Sequence, residues 1–322
     1  MFDQDPSPQG SEPKIPSDDV IIPFQVGEAA VRGRIVRLGP AVDTLLQRHD
    51  FPDPVKALLG EAEALVAMLG TALKFDGKLI MQAQGDGPVS AIVADYSADG
   101  SLRATATFRE GGRDEAANAQ GPELHYLLRK GHMVMTIDQG PDMERYQGVV
   151  PLEGPTLARA TINYFNQSEQ IPTAIQLAVG QVTTVKGQAW RAGGIMVQFM
   201  PGEGGTRERG EEITMADVDR DLWERAVILM NTTQPDELLD PMVRPEQLLF
   251  RLFHEDGVRV FDPLTAHFGC TCSRAKVAGV LSQYAADDLK DMVTNGAIEV
   301  TCDFCREEYR FELDETGDAF KE

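Results

Sequence analysis

Basic residues are scarce in this sequence: 30 Lys and Arg stand against 51 Asp and Glu, a net charge of −21. Such a surface repels phosphate backbones and anionic lipid, so neither nucleic acid nor a membrane surface is an expected partner. Solubility accounts for the acidity. Long apolar runs are also lacking. No stretch reaches the roughly 18 uninterrupted apolar residues of a membrane helix. The N-terminal MFDQDPSPQGSEPKIPSDD has neither the basic start nor the apolar run of a secretory signal. The expectation is a cytoplasmic chain, in which cysteines stay reduced.

Signatures of common enzymes are missing too. Six residues separate Gly70 from Gly77-Lys78, where a phosphate-binding loop needs four, and Leu79 stands in place of its Ser or Thr. Gly85-Asp86-Gly87 has no third glycine at dinucleotide spacing and reads as a turn. The five histidines (49, 125, 132, 254, 267) are scattered and there is no nucleophile elbow. Asp86, Ser168 and Glu169 are isolated polar residues with structural roles as the expectation. No enzymatic activity and no catalytic residue is expected.

What is present suggests an α+β fold with a mainly antiparallel sheet. At 322 residues the chain is long for one core. Residues 1–19, rich in Pro, Ser and Asp, read as a disordered arm. A core domain is expected over 20–201. In it, Val55, Leu58, Leu59, Ala62, Leu65, Val66 and Leu69 predict one face of a helix from about Pro54 to Lys74. Strands are expected at 78–84, 88–96, 102–108, 132–138, 145–152, 174–180 and 194–201, with a helix at 155–169. Residues 202–262 read as a metastable helical linker: 201–240 hold eleven Asp and Glu against four Arg, and a stretch this acidic is expected to bury little apolar area.

Cysteine is absent from the first 269 residues, and all four lie in the last unit, 263–322. They form two pairs, Cys270-Thr271-Cys272 and Cys302-Asp303-Phe304-Cys305, with 29 residues between. Residues i and i+2 of an extended segment face one side, so Cys270 and Cys272 can chelate together. Strand-like segments flank the second pair, which suits a hairpin knuckle better than a redox helix start. Four thiolates make a closed tetrahedral zinc site, so one Zn ion on Cys270, Cys272, Cys302 and Cys305 is the expected cofactor. An iron–sulfur cluster or paired cysteines remain alternatives. A unit of about 60 residues rarely folds on its core alone, so oxidising the ligands removes much of its stability.

CTCS (270–273) and CDFC (302–305), followed by Tyr309 and Phe311, resemble the redox-regulated thirty-three-kilodalton heat-shock chaperonin family. The resemblance extends through VRGRIVRL (31–38), HDFPDPVKALLGE (49–61), ALKFDG (72–77), QGDGP (84–88), ERYQGVVPLEG (144–154), YFNQSEQIPT (164–173), GGIMVQFMP (193–201) and RLFHEDGVRVFDP (251–263). It implies an ATP-independent cytosolic holdase, inactive while zinc-bound. In members of this family, oxidation forms disulfides between near neighbours, here Cys270–Cys272 and Cys302–Cys305. Zinc is released, the linker unfolds, and the activated form, often a homodimer, holds unfolded client proteins. The arm at 1–19 and the Gly/Glu-rich insert at 202–212 depart from the pattern. Two rivals stand beside this reading: a zinc-ribbon interaction module without a switch, and a thiol–disulfide oxidoreductase using Cys302 and Cys305.

Overall fold

The computed structural model describes residues 18–28, 31–72, 77–140, 143–185, 187–200 and 215–312. The insert and most of the N-terminal arm lie outside them. Asp18 and Asp19, assigned to the arm from sequence, are fixed: Asp18 pairs with Arg191, and the Asp19 carboxylate accepts the backbone N–H groups of Gly39 and Ala41. Two acceptors beside orphan helix-start N–H groups are enough to anchor the chain there.

The molecule is built around α2 (Asp53–Ala72), buried without interruption from Leu58 to Gly70. The expected one-faced stripe understated it. This helix is covered on all sides because it lies between two six-stranded sheets. At Gly60 an added Cβ would come within 2.6 Å of Val179, and at Gly70 within 2.3 Å of Tyr96, so both sheets approach the helix backbone closely.

Sheet A runs β10 (Val258–Val260), β1 (Val20–Val26), β2 (Val31–Leu38), β9 (Gly187–Phe199), β8 (Thr173–Thr184), all antiparallel, with β11 (Leu264–Thr265) also on β1. Sheet B runs β12 (His267–Phe268), β5 (Ser101–Phe108), β4 (Val89–Ser97), β3 (Lys78–Gly85), β6 (Gly131–Asp138), β7 (Tyr146–Pro151). Only its β12–β5 pair is parallel. Helix α1 (Pro40–Arg48) lies beside α2, and two short helices, α3 (Gly112–Ala117) and α4 (Leu124–Leu127), connect strands of sheet B. The α+β class and the mainly antiparallel pairing match the sequence reading.

Two local expectations need correction. Gly85-Asp86-Gly87 does lie between antiparallel neighbours, but the ladder ends at Gln84–Ala91 and neither glycine has positive φ. A Cβ on Gly85 would meet the Leu128 carbonyl oxygen at 2.0 Å, and one on Gly87 the Leu127 oxygen at 2.4 Å. The glycines admit a neighbouring backbone rather than a mirror-image turn, and Asp86 accepts the Lys130 N–H. The helix expected over 155–169 divides into α5 (Leu157–Tyr164) and a π-helical turn (Phe165–Glu169) ended by Gln170 at φ 54°. That turn sets Glu169 to accept the hydroxyls of Tyr146 (2.9 Å) and Tyr164 (2.8 Å).

The outer face of sheet A is covered by α6 (Met215–Met230), α7 (Pro235–Leu239) and α8 (Pro245–Phe253). This acidic stretch buries Leu222, Ala226, Met230, Leu238, Leu239, Leu248, Leu249, Leu252 and Phe253 against Phe24, Ile35 and Val197. It therefore buries more apolar area than its charge suggested, because acids such as Asp221, Glu224 and Asp236 stay exposed while the leucines face the sheet. Two core arginines hold its backbone. Arg37, buried, donates to the carbonyls of Val243 and Glu237, and Arg191 donates to that of Leu239 (2.6 Å). Among the described residues no helix is long and apolar enough to cross a membrane.

Candidate metal centre

After α8 the chain returns to both sheets through β10, β11 and β12, and the first cysteine pair follows directly. Cys270 and Cys272 lie in the non-helical stretch between β12 and the next helix. Ser273 then caps α9 (Arg274–Leu281) by accepting the Lys276 N–H, and Lys276 Nζ donates to the Thr271 carbonyl (2.6 Å). The second pair sits on the turn between β13 (Ala297–Thr301) and β14 (Glu308–Glu312), as expected for a hairpin knuckle. Cys302 N–H donates to the Glu307 carbonyl and Arg306, at φ 60°, returns its N–H to the Cys302 carbonyl. A further helix, α10 (Ala286–Asp291), completes the unit. Its own core is small: Leu281, Leu289, Ile298 and Phe311.

The four sulfurs converge. All lie within 4.8 Å of one another, with Cys270 and Cys302 3.8 Å apart and Cys272 and Cys305 3.3 Å apart. A tetrahedron of zinc–sulfur bonds of about 2.3 Å has edges of about 3.8 Å. The donor set and spacing therefore fit a closed four-thiolate metal site. Burial pushes the Cys270 thiol up, but hydrogen bonds from the Cys272 backbone and from the neighbouring thiols outweigh it and bring it to about 7. Burial raises Cys272 and Cys305 instead. The Tyr309 hydroxyl donates to Cys272 Sγ at 3.1 Å. His267 stays exposed and outside the cluster.

The knuckle docks on the core through residues that spacing arguments did not find. The Phe304 ring lies under the Arg103 guanidinium, 4.1 Å from centroid to Cζ, and Arg103 also grips the buried Asp95 (2.7–2.9 Å). His49, buried and stacked on Phe51, has Nε2 3.0 Å from the Phe304 carbonyl, and Arg48 donates to the Cys305 carbonyl at 3.1 Å. Burial lowers the His49 pKa, and because the Phe304 carbonyl can only accept, Nε2–H is the donor. Arg48, His49 and Arg103 are distant in sequence from the cysteines, and only His49 lies in one of the resemblance blocks, at 49–61. Asp86, Ser168 and Glu169 lie far from the cysteines in the chain, and Asp86 and Glu169 serve the structural bonds described above.

The comparisons agree with this geometry. The Hsp33 protein family model matches residues 19–312. A protein of Caulobacter vibrioides named 33 kDa chaperonin is 47% identical over 299 residues, covering 92% of this chain and 95% of its own. One of the same name from Pseudomonas putida is 35% identical over 309 residues, 95% of each chain. The crystal structure of the 33 kDa chaperonin of Thermotoga maritima shares the fold, with a TM-score of 0.71 at 23% identity over 91% of this chain and 95% of the other. These relatives are named as chaperonins, a non-enzymatic class, in line with the missing catalytic signatures. With its two sheets, central helix and converging cysteines, this chain belongs to the Hsp33 protein family.

Proposed function

We propose that this protein is an ATP-independent holdase of the cytoplasm, switched on by oxidation. The observation that carries the reading is the convergence of four sulfurs within 4.8 Å, in a unit whose described residues form a core cluster of only four buried side chains, docked against the core. In the reduced chain Cys270, Cys272, Cys302 and Cys305 hold one zinc ion as thiolates. Metal binding of this kind supplies on the order of 10–16 kcal/mol of folding free energy. Residues 263–322 thus act as the switch, 202–262 as the linker and 20–201 as the client-holding core.

Oxidation by peroxide joins Cys270 to Cys272 and Cys302 to Cys305. Each pair of thiolates gives two electrons to one peroxide, whose O–O bond breaks to leave two hydroxides that take their protons from solvent. The nearest sulfurs in the structure lie across the centre, but those partners separate once the unit loosens. Near neighbours stay close at little loop-closure cost. With the ligands gone the unit loses its main stabilising term, the knuckle leaves Arg103 and His49, and the linker helices loosen. The apolar outer face of sheet A and the linker then hold unfolded client proteins, the activated chain working as a homodimer.

The test is light scattering from a heat-aggregating client with reduced or peroxide-oxidised protein, while released zinc is followed with a colorimetric chelator. Protection by the oxidised form alone, in step with zinc release, is expected. Retained zinc with no protection by either form overturns the reading and brings forward the unswitched interaction module.

A further inference from the structure

In a chain of net charge −21, one face of sheet A gathers arginines without acids. Arg32 and Arg34 alternate on β2 and so share a face, and the strand register sets Arg32 beside Gln25 and Arg34 beside Pro23. On the other side of β1, Arg259 of β10 also pairs with Gln25, and the Phe261 N–H donates to the Pro23 carbonyl. Cross-strand partners present their side chains to one face, so Arg32 and Arg259 flank Gln25. Beside Gln25 lies a cavity of about 210 Å³ lined by Pro23, Phe24, Gln25, Arg32, Gly33, Arg34 and Phe261.

The charges there are unmatched. Among the described residues no carboxylate forms an ion pair with Arg32, Arg34 or Arg259. Arg34 Nη2 donates to the Thr71 carbonyl (2.9 Å), but its Nε is buried with no partner. Burial, and the like charge of Arg32, lower the Arg34 guanidinium to about 10. Arg259 rests on the Phe261 ring at 5.0 Å. Two guanidinium side chains, Arg32 and Arg34, lining one depression suit a multiply charged oxyanion. Phosphate carries about −1.5 to −2 at neutral pH, enough to answer two arginines.

We propose that this depression on sheet A, between Arg32, Arg34 and Phe261, is a binding site for a small phosphate-bearing anion. Phe261 belongs to the stretch that carries the chain from α8 to the cysteines, so the anion fastens that stretch to the core.

The experiment uses the full reduced chain, with inorganic phosphate titrated against chloride at constant ionic strength. The readouts are the melting temperature and the phosphorus NMR line width. A saturable rise of about 2–4 °C is expected at concentrations well above Kd, together with line broadening. Arg32→Gln removes an exposed side chain with no hydrogen bond in the fold and should abolish both effects. Arg34→Gln should do the same, but it also loses the Thr71 contact, so Arg32→Gln decides. A parallel titration with glycerol 3-phosphate separates sources: tighter binding of the ester assigns the site to an organic phosphate, and tighter binding of the free ion to phosphate itself. Equal responses of the wild type and Arg32→Gln, or a phosphate response no larger than that of chloride, overturn the proposal.

Discussion

His49, Arg103 and Phe304 form a contact between the core and the knuckle. Phe304→Ala deletes the ring under Arg103 yet leaves all four cysteines in place. The reduced variant should keep its metal by elemental analysis while amide exchange speeds up across 297–312. Unchanged exchange there would show that the ring contributes nothing to docking. Cys302→Ser should act the other way, with severe loss of zinc and loosening of 263–312, and full zinc occupancy would refute the ligand assignment. Glu61 supplies a pH signature. Burial, and then the charge of Glu123, raise its carboxyl from 4.5 to about 8, with Oε2 unpartnered. The folded state therefore holds this proton more tightly than the unfolded chain. That contribution is full below pH 4.5 and is lost as pH rises from about 4.5 to about 8. Urea midpoints of the reduced protein should fall across this window and be flatter in Glu61→Gln. Parallel profiles for the two proteins would count against the buried ionisation.

At the scale of elements, the covering of sheet A by α6, α7 and α8 rests on apolar burial and on arginine bonds to backbone carbonyls. Leu249→Ala should lower the stability of the covered state by about 2–5 kcal/mol, the range for a buried leucine. Arg37→Ala strands the Val243 and Glu237 carbonyls and should speed exchange over 235–253 while leaving α2 protected. Uniform exchange in both segments would show that covering and core unfold together. The elements legible in the sequence include those whose period is set by one buried face, such as β3. Helix α2 was legible in extent but not in surroundings, because a buried helix shows the same leucines whether one side or all sides are covered. The two-residue strands β11 and β12 carry no period at all, and tertiary pairing alone creates them.

For the whole molecule, the terminal unit and the core differ sharply in what sustains them. One has four buried core side chains, while the other has a cluster spanning both sheets and α2. A chelator under reducing conditions should therefore unfold 270–312 and spare the core, seen as selective loss of exchange protection. Loss of protection in α2 at the same chelator concentration would mean that the two are one cooperative unit. The cysteine centre was readable from sequence because its chemistry dictates spacing. Its seat on Arg48, His49 and Arg103 was not, since those residues join it only through the fold.

The stretch 258–268 does more than connect. It lies along β1 in one sheet and along β5 in the other, so each of those strands is an interior strand only while that stretch is in place. Withdrawing it turns Val20–Val26, and the Ser101–Leu102 end of β5, into open rims lined with backbone donors and acceptors that read no particular side chain. A polypeptide that has lost its own fold carries the same groups in the same spacing, whatever its sequence.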